Sequence, residues 1–267
     1  MKLEVSNLSF SYGDKVILKD IHFCVSSGCF CSLLGSNGVG KTTLMKCLLG
    51  IYRDYGGCIT IDGEDIRFDK PKDLARKMAY IPQSHAPAFH YSVLDMTLMG
   101  TTSAMTAFAN PKEREVSVAR EALRQLQIGH LEQRDFMKIS GGEQQLVLIA
   151  RALAQEARVL IMDEPTANLD YGNQIRVLEQ MKKLTKSGYT VFQSTHQPEQ
   201  AYLYGDQILA IKDGKVYGNG PPKQIMNEQL VQDLYGVETK EFRFMEDQIR
   251  VYVPSHLGQI KEEQDEK

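Results

Sequence analysis

The sequence predicts an α/β fold built on a mainly parallel sheet, and three observations support this prediction. A glycine-rich loop at 35–42 lies between a short apolar strand and a helix. Two apolar runs, beginning at Val159 and Tyr189, are typical of strands buried on both faces, and each ends in polar side chains. Between 84 and 134 the pattern becomes helical. We therefore expect a helical insert within an α/β core.

Before the loop, the chain reads as a series of strands. Leu3 to Phe10 alternates like a half-buried strand, and 16–18 and 21–25 are predicted as further strands. Tyr12 precedes a turn glycine, where its ring could lie flat against a nucleotide base. A tyrosine packed at a strand end is the alternative interpretation.

The loop Gly35-Ser-Asn-Gly-Val-Gly-Lys-Thr42 matches the phosphate-binding pattern G-x-x-x-x-G-K-[ST]. Its setting is the one this P-loop requires, with a strand at 29–34 and a helix at 43–49. The glycines let backbone N–H groups point at phosphate oxygens, and the helix start adds partial positive charge. Lys41 is expected to contact the β- and γ-phosphates, and Thr42 to offer its hydroxyl to Mg²⁺. A glycine-rich turn opening an ordinary helix is the alternative.

Two carboxylates follow the buried run that begins at Val159. A buried parallel strand delivers the residues at its carboxyl end to the ligand crevice. We expect Asp163 to hold Mg²⁺, directly or through water, and Glu164 to act as general base on the attacking water. A solvated strand end is the alternative.

Two more polar residues are predicted at the same sheet edge. Gln83 follows the strand at 78–81 and could reach Mg²⁺ or the attacking water, although most such glutamines only cap a loop. His196 follows the strand that begins at Tyr189, which favours contact with a γ-phosphate over the purely structural role usual for a lone histidine.

The helical stretch contains two predicted helix starts. In the first, Asn110 is expected as N-cap with Pro111 at the first helical position. In the second, Ser140 and Glu143 form a capping box. Gly141 and Gly142 occupy the first turn there, where glycine costs stability, so the helix N-terminus is free to receive a phosphate. A well-capped helix alone would not explain both glycines.

The bulk composition excludes some functions. Net charge is −3 and the pI is near 6.1, so a broad basic footprint for nucleic acid is absent. Five cysteines, none in a C-x-x-C pair, and no signal peptide predict buried thiols in a reducing cytosol. No apolar stretch approaches the roughly 18 residues of a membrane helix. Residues 240–254 are predicted as two short strands and 262–267 as a disordered charged tail.

Together these motifs resemble the ATP-binding-cassette family, over about residues 1–240. The resemblance assigns family roles to seven elements: Tyr12 as the aromatic A-loop, Gly35, Ser36, Asn37, Gly38, Val39, Gly40, Lys41 and Thr42, with Thr43, as Walker A, Gln83 as the Q-loop, Ile139–Glu143 as the signature, Val159–Glu164 as Walker B, Asn168–Asp170 as the D-loop, and His196 as the switch histidine. It implies ATP and Mg²⁺ as ligands and a head-to-tail homodimer. Ser140, Gly141 and Gly142 would then complete the other subunit's ATP site.

The resemblance also implies an architecture. It is a P-loop NTPase core with an N-terminal antiparallel β subdomain (1–83 and 155–240) and a helical signature subdomain (84–154). Residues 241–267 form a C-terminal extension. Three positions depart from the family pattern: Ile139 for leucine, Glu143 for glutamine, and Ser36 for proline. None of these changes undermines ATP hydrolysis.

A finer resemblance lies in 80–85, 93–96, 169–174 and 196–204, which are similar to the ATPase subunits of metal-chelate importers. Those systems take up iron–siderophore, haem, cobalamin or, in some members, molybdate. The resemblance implies two transmembrane permease subunits, each docking a short helix beside Gln83 to Leu94, and indirectly a substrate-binding protein. The chain would then be held peripherally on the cytoplasmic side of the membrane, without nucleic acid.

Three other classes are less compatible with the sequence. Soluble cassette proteins of ribosomes or DNA normally carry two cassettes or a long coiled-coil insert, and this chain has one cassette and a short insert. A GTP-binding switch would need an N-K-x-D motif after the P-loop, which is absent. A non-enzymatic binding module is disfavoured because each catalytic position is filled.

Overall fold

The computed structural model describes residues 1–83, 89–103 and 111–257. Its strands form three sheets: β1 Leu3–Tyr12, β2 Lys15–Val25, β3 Phe30–Leu34, β4 Gly56–Ile61, β5 Glu64–Asp65, β6 Met78–Ile81, β7 Val159–Met162, β8 Thr190–Ser194, β9 Gln207–Lys212, β10 Lys215–Gly220, β11 Thr239–Phe244 and β12 Ile249–Pro254. Its α-helices are α1 Lys41–Leu48, α2 Pro71–Lys77, α3 Val93–Leu98, α4 Glu113–Gln125, α5 Gly141–Ala154, α6 Tyr171–Lys186, α7 Pro198–Tyr204, α8 Pro222–Ile225 and α9 Glu228–Tyr235. Short 3₁₀ turns span Ile66–Phe68, Met99–Ser103, Gly129–Leu131 and Phe136–Lys138.

The central sheet has the strand order β10-β9-β3-β8-β7-β6. Five of its strands are parallel, and β10 pairs antiparallel at one edge. Every residue of β3, β7 and β8 is buried, which confirms the interpretation of the continuous apolar runs. Because these strands are parallel, their carboxyl ends, and the polar residues that follow them, meet at one edge of the sheet.

The N-terminal sheet is antiparallel, with the order β2-β1-β4-β5. The prediction of two separate strands at 16–18 and 21–25 is wrong, since β2 is a single strand across both. Asp20, in the left-handed region with φ of 54°, marks the irregularity that the sequence suggested as a break. Register shifts in β1 after Val5, Leu8 and Phe10 let the pairing continue past it.

The start of α4 differs from the prediction. The helix begins at Glu113, and Lys112 rather than Asn110 is the residue before it. The backbone N–H of Lys112 donates to the carboxylate of Glu115 at 2.9 Å, so the acidic side chain that satisfies the helix start is Glu115 and not Glu113, which would be the third helical residue after an N-cap at Asn110. Asn110 itself lies outside the described residues. We predict from the small residues at 100–109 a loop before this helix; 104–109 lie outside the described residues, and its first part forms the 3₁₀ turn Met99–Ser103.

Hydrophobic cores fill both faces of the central sheet. On one face, Phe30, Leu160 and Met162 pack with the buried sides of α3, α4 and α5. On the other, Leu33 and Ile161 pack with α1 and the antiparallel sheet. The P-loop therefore emerges between two rigid layers.

The C-terminal segment forms the hairpin β11-β12, which confirms the two predicted strands. Its residue Tyr252 joins a third core with Ala201 and Tyr202 of α7 and Leu230 of α9. The predicted disordered tail, 262–267, lies outside the described residues. In the described ranges no helix is long and apolar enough to cross a membrane.

Candidate functional site

The P-loop wraps between β3 and α1 with three glycines in conformations that other residues rarely adopt. Gly35, Gly38 and Gly40 have φ of 155°, 82° and 107°. A Cβ on Gly35 would lie 2.6 Å from the carbonyl oxygen of Ile211, and one on Gly40 would lie 2.9 Å from a methyl of Leu18. The loop thus needs glycine both for its backbone path and for its packing against neighbouring strands.

Lys41 lies under this loop, with only 7% of the residue exposed. Its ammonium donates to the carbonyl oxygens of Gly35 at 2.5 Å and Ser36 at 3.1 Å. Burial lowers the pKa of Lys41, and the nearby carboxylates of Glu164 and Asp163 act in the opposite direction. The ammonium therefore stands close to the place where phosphate oxygens would bind.

A cavity of about 190 Å³ opens between the P-loop and the end of β7. It gathers residues from three elements of the fold and is lined by Ile17, Asn37, Gly38, Gly40, Lys41, Thr42, Thr43, Asp163 and Glu164. Ser36 and Val39 belong to the loop but do not line this cavity, and Val39 packs against the core of the antiparallel sheet. The cavity brings the glycine-rich loop and Lys41 together with two carboxylates.

The carboxylate of Asp163 and the backbone of Glu164 are held by a residue that the sequence analysis missed. Ser194, at the end of β8, donates its hydroxyl to Asp163 Oδ1 at 2.7 Å and accepts from the backbone N–H of Glu164 at 3.0 Å. Glu164 has φ of 44°, a strained conformation for a residue with a side chain. The only available signal for Ser194 was a polar residue ending a buried strand next to His196.

His196 lies beside the second carboxylate. Its Nδ1 is 3.4 Å from Glu164 Oε2, and the two side chains are 50% and 20% exposed. Glu164 lines the P-loop cavity and His196 does not, so the structure brings His196 to the cavity only through Glu164. A protonated His196 and an ionised Glu164 would attract each other at this distance.

Tyr12 belongs to a small aromatic group near the end of β1. Its ring meets Phe10 edge-on at 5.0 Å between centroids and Tyr52 at 5.7 Å, while 46% of Tyr12 stays exposed. Phe10 and Tyr52 stack at 5.0 Å, and Lys46 Nζ lies 5.4 Å from the centroid of the Tyr52 ring. The sequence analysis did not identify Tyr52, because its contacts with Phe10 and Tyr12 join residues that are far apart along the chain.

The capping box at the start of α5 is confirmed. Glu143 accepts from the backbone N–H and from the hydroxyl of Ser140, both at 2.8 Å, and the Glu143 N–H donates to the Ser140 hydroxyl at 3.3 Å. These donors hold the pKa of Glu143 below its usual value. The carboxylate of Glu143, which replaces the glutamine of the family pattern, is therefore bound at the start of its own helix.

The surroundings of the two glycines at this helix start differ, so the presence of glycine at each position has a different explanation. A Cβ on Gly142 would lie 2.3 Å from Cγ and Oδ1 of Asn173 and 2.6 Å from its Cβ, so α6 packs too closely for any side chain. A Cβ on Gly141 would meet only Leu169, at an ordinary 3.4 Å. Packing explains Gly142, whereas Gly141 remains unexplained by the chain's own contacts.

This difference gives a prediction for stability. Gly142→Ala should lower the free energy of unfolding by about 1–3 kcal/mol, because the side chain of Asn173, in the first turn of α6, must shift to make room for the new methyl group. Gly141→Ala should leave it nearly unchanged, since the new methyl group has room. Denaturant unfolding of the two variants checks this, and equal stability for both would contradict the packing argument.

Gln83 is not brought to the P-loop cavity. It is exposed and lines a separate cavity of about 300 Å³ with Gly141 and with Asn168 and Leu169 of the predicted D-loop. The structure therefore places Gln83 beside the start of α5 rather than beside Lys41 or Asp163.

The cavity residues fit a magnesium ion. In the described ranges, no cluster of three His, Cys, Asp or Glu side chains could hold a metal alone. Mg²⁺ needs no such cage, because it commonly takes one or two protein oxygens plus phosphate and water. Thr42 and Asp163, both lining the P-loop cavity, are the residues that would hold it, and the ion would neutralise phosphate charge.

A P-loop closed around a buried lysine, facing two carboxylates and a histidine at the edge of a parallel sheet, defines a nucleotide-hydrolysing enzyme of the P-loop class. The family described as "ABC transporter" matches residues 18–167, more than half of the chain. The chain belongs to this family, whose ATP-binding domains bind and hydrolyse ATP.

Known relatives extend the likeness beyond the matched region. An uncharacterized ABC transporter ATP-binding protein of Haemophilus influenzae is 42% identical, over 88% of this chain and 89% of its own. A probable iron chelatin transport ATP-binding protein of Helicobacter pylori is 36% identical over 88% and 93%. The molybdate import ATP-binding protein MolC of H. influenzae is 37% identical over 78% of each chain.

A solved structure is similar along nearly the whole chain. It is described as an inward-facing conformation of a putative metal-chelate type ABC transporter. It is 32% identical and covers 96% of this chain and 98% of its own, with a TM-score of 0.82. The predicted fold class is therefore confirmed.

Proposed function

We propose that this chain is the ATP-hydrolysing subunit of a membrane importer whose cargo is a metal chelate, such as an iron–siderophore, haem or cobalamin. The observation that carries this proposal is the likeness to a metal-chelate type transporter across 96% of the chain. The iron chelatin relative agrees with it. The P-loop cavity supplies the chemistry that such a subunit needs.

The proposed hydrolytic step uses Lys41 and Glu164 of this cavity, together with His196 and Tyr12, which do not line it. Glu164 accepts the proton of a water that attacks the γ-phosphate in line. His196, within 3.4 Å of Glu164, helps to orient that water and the phosphate. Lys41 stabilises the negative charge on the phosphoryl oxygens. Tyr12 stacks on the adenine ring, for which its exposed position is suited.

We propose that the working form is a head-to-tail homodimer with two ATP molecules between the subunits. Ser140, Gly141 and Gly142 of each subunit would donate their helix N-terminus to the other subunit's γ-phosphate. This would explain why Gly141 has no packing reason within its own chain. ATP binding would close the dimer, and loss of the product phosphate would open it.

We further propose that 84–154 forms the helical unit that contacts the membrane subunits, with 1–83 and 155–240 as the nucleotide-binding core. Two permease subunits would each dock a helix beside Gln83 to Leu94, and Gln83, which lies beside the start of α5, would link that groove to the nucleotide bound between the subunits. Exposed Phe89 offers apolar surface there. The chain would thus lie on the cytoplasmic face, with a substrate-binding protein reached through the permease.

Molybdate is a second candidate cargo. The relative that carries this alternative is the molybdate import protein of H. influenzae, at 37% identity. An ATPase subunit need not touch the cargo, so the P-loop cavity is compatible with either.

Reconstitution tests the proposal. The permease that co-purifies with this chain is placed with it in proteoliposomes, and ATP-driven uptake of ferric siderophore, haem, cobalamin and molybdate is measured in turn. We expect uptake of one metal chelate, and loss of that uptake in a matched transporter carrying Glu164→Gln. Uptake of molybdate alone would contradict the chelate proposal. ATP hydrolysis without uptake of any of the four would contradict the proposed import function.

A further inference from the structure

The C-terminal hairpin is held by a buried arginine. Only 4% of Arg250 is exposed, and its guanidinium donates to both carboxylate oxygens of Asp247 at 2.7 Å. It also donates to the backbone carbonyl oxygens of Met226, at 2.5 Å, and Lys223, at 3.1 Å. The bonds to Met226 and Lys223 fix the hairpin to α8 and to the residue that follows it. The hairpin lies beyond residues 18–167, the part that matches the family.

The same arginine reaches α7 through Tyr202. Its guanidinium carbon lies 5.0 Å from the centroid of the Tyr202 ring, a cation–π distance. The Tyr202 hydroxyl donates to the backbone carbonyl oxygen of Asp247 at 2.7 Å. Tyr202 is 5% exposed. The hairpin therefore holds this ring by its face and by its hydroxyl.

Hydrogen bonds also connect α7 to the segment that follows Glu164. Gln200 of α7 accepts from the Thr166 hydroxyl at 3.1 Å and donates to Gln174 Oε1 of α6 at 2.8 Å. Thr166 lies two residues after Glu164, and α7 begins two residues after His196. This short helix thus lies between the Glu164–His196 pair and the hairpin.

We propose that Arg250 is a positioning residue for ATP hydrolysis. By holding Tyr202, the hairpin fixes α7 and with it the distance between His196 and Glu164. This inference rests on the proposed roles of those two residues. Because a displacement of about 1 Å in a catalytic group can cost much of the rate, a contact outside the nucleotide cavity can control turnover.

The test is steady-state ATP hydrolysis by the full-length chain. Arg250→Ala should lower kcat on the order of tenfold while the KM for ATP stays within about twofold, because the P-loop is untouched. Arg250→Lys keeps the charge but not the fork of hydrogen bonds, and should be intermediate. Arg124→Ala is the matched control, since exposed Arg124 pairs with Glu121 on α4 rather than with any partner of Arg250, and it should leave kcat unchanged.

A double variant separates positioning from general damage. In a His196→Ala background, Arg250→Ala should cause no further loss of turnover, because the group that it positions is gone. An equal loss in both backgrounds, or wild-type kcat in Arg250→Ala, would overturn the inference. If Arg250→Ala does not fold, Tyr202→Phe, which removes only the hydroxyl bond to the hairpin, replaces it in the same cycle. If His196→Ala alone has no effect, the proposed role of His196 falls and this inference falls with it.

Discussion

Glu164→Gln is expected to reduce ATP turnover by at least about 100-fold while leaving ATP binding intact. Glutamine has nearly the same shape, and the N–H bond from residue 164 to the Ser194 hydroxyl does not involve the side chain. Only the proton-accepting charge beside His196 is lost. Phosphate release measures the turnover, and equilibrium titration with a fluorescent ATP analogue measures the binding.

The matched control is Glu179→Gln, on the exposed face of α6 and away from the P-loop cavity. It makes the same chemical change and should retain wild-type turnover. Near-normal turnover in Glu164→Gln would remove Glu164 as the general base. Weak ATP binding in that variant would assign the residue to nucleotide binding instead.

The second large effect is expected when two inactive variants are mixed. Lys41→Met removes the phosphate-binding cation, and Gly141→Asp places a negative charge where we propose that the partner's γ-phosphate binds. Asp is favourable at a helix start and a side chain has room there, so folding should be preserved. Each variant alone should be inactive. In a head-to-tail dimer, the mixed pair regains one site with an intact Lys41 and an intact signature.

If subunits exchange freely and the two sites act independently, mixing should restore up to about one quarter of wild-type turnover. Half of the dimers are then mixed, and each carries one intact site of two. No recovery after mixing, with subunit exchange verified by labelled chains, would mean that each chain completes its own site. Full activity of Gly141→Asp alone would show that no phosphate binds at the start of α5.

The fold and the cavity were predictable where local sequence dictates geometry. Glycines at 35, 38 and 40 permit the positive-φ backbone path that the P-loop requires, and continuous apolar runs give buried parallel strands whose ends meet. The capping box of Ser140 and Glu143 was likewise readable, because both partners lie within four residues.

Contacts between distant segments were not predictable in this way. Ser194, on another strand, hydrogen-bonds to Asp163 and to the backbone of Glu164. Asn173, on another helix, leaves no room for a side chain at Gly142. The start of α4 was misplaced because proline at a first helical position is only a preference. The helix begins at Glu113 instead, where the carboxylate of Glu115 accepts from the backbone N–H of Lys112. Sequence spacing predicts neither the contacts between distant segments nor the choice between two possible helix starts.

The backbone of Glu164 has a consequence for engineering. At φ of 44° a non-glycine residue carries a penalty of about 1 kcal/mol, which Glu164→Gly would relieve. Selection for heat resistance alone would therefore favour loss of the carboxylate. Any search for hardier versions of this enzyme has to screen for catalysis at the same time, because at this position robustness and activity are opposed.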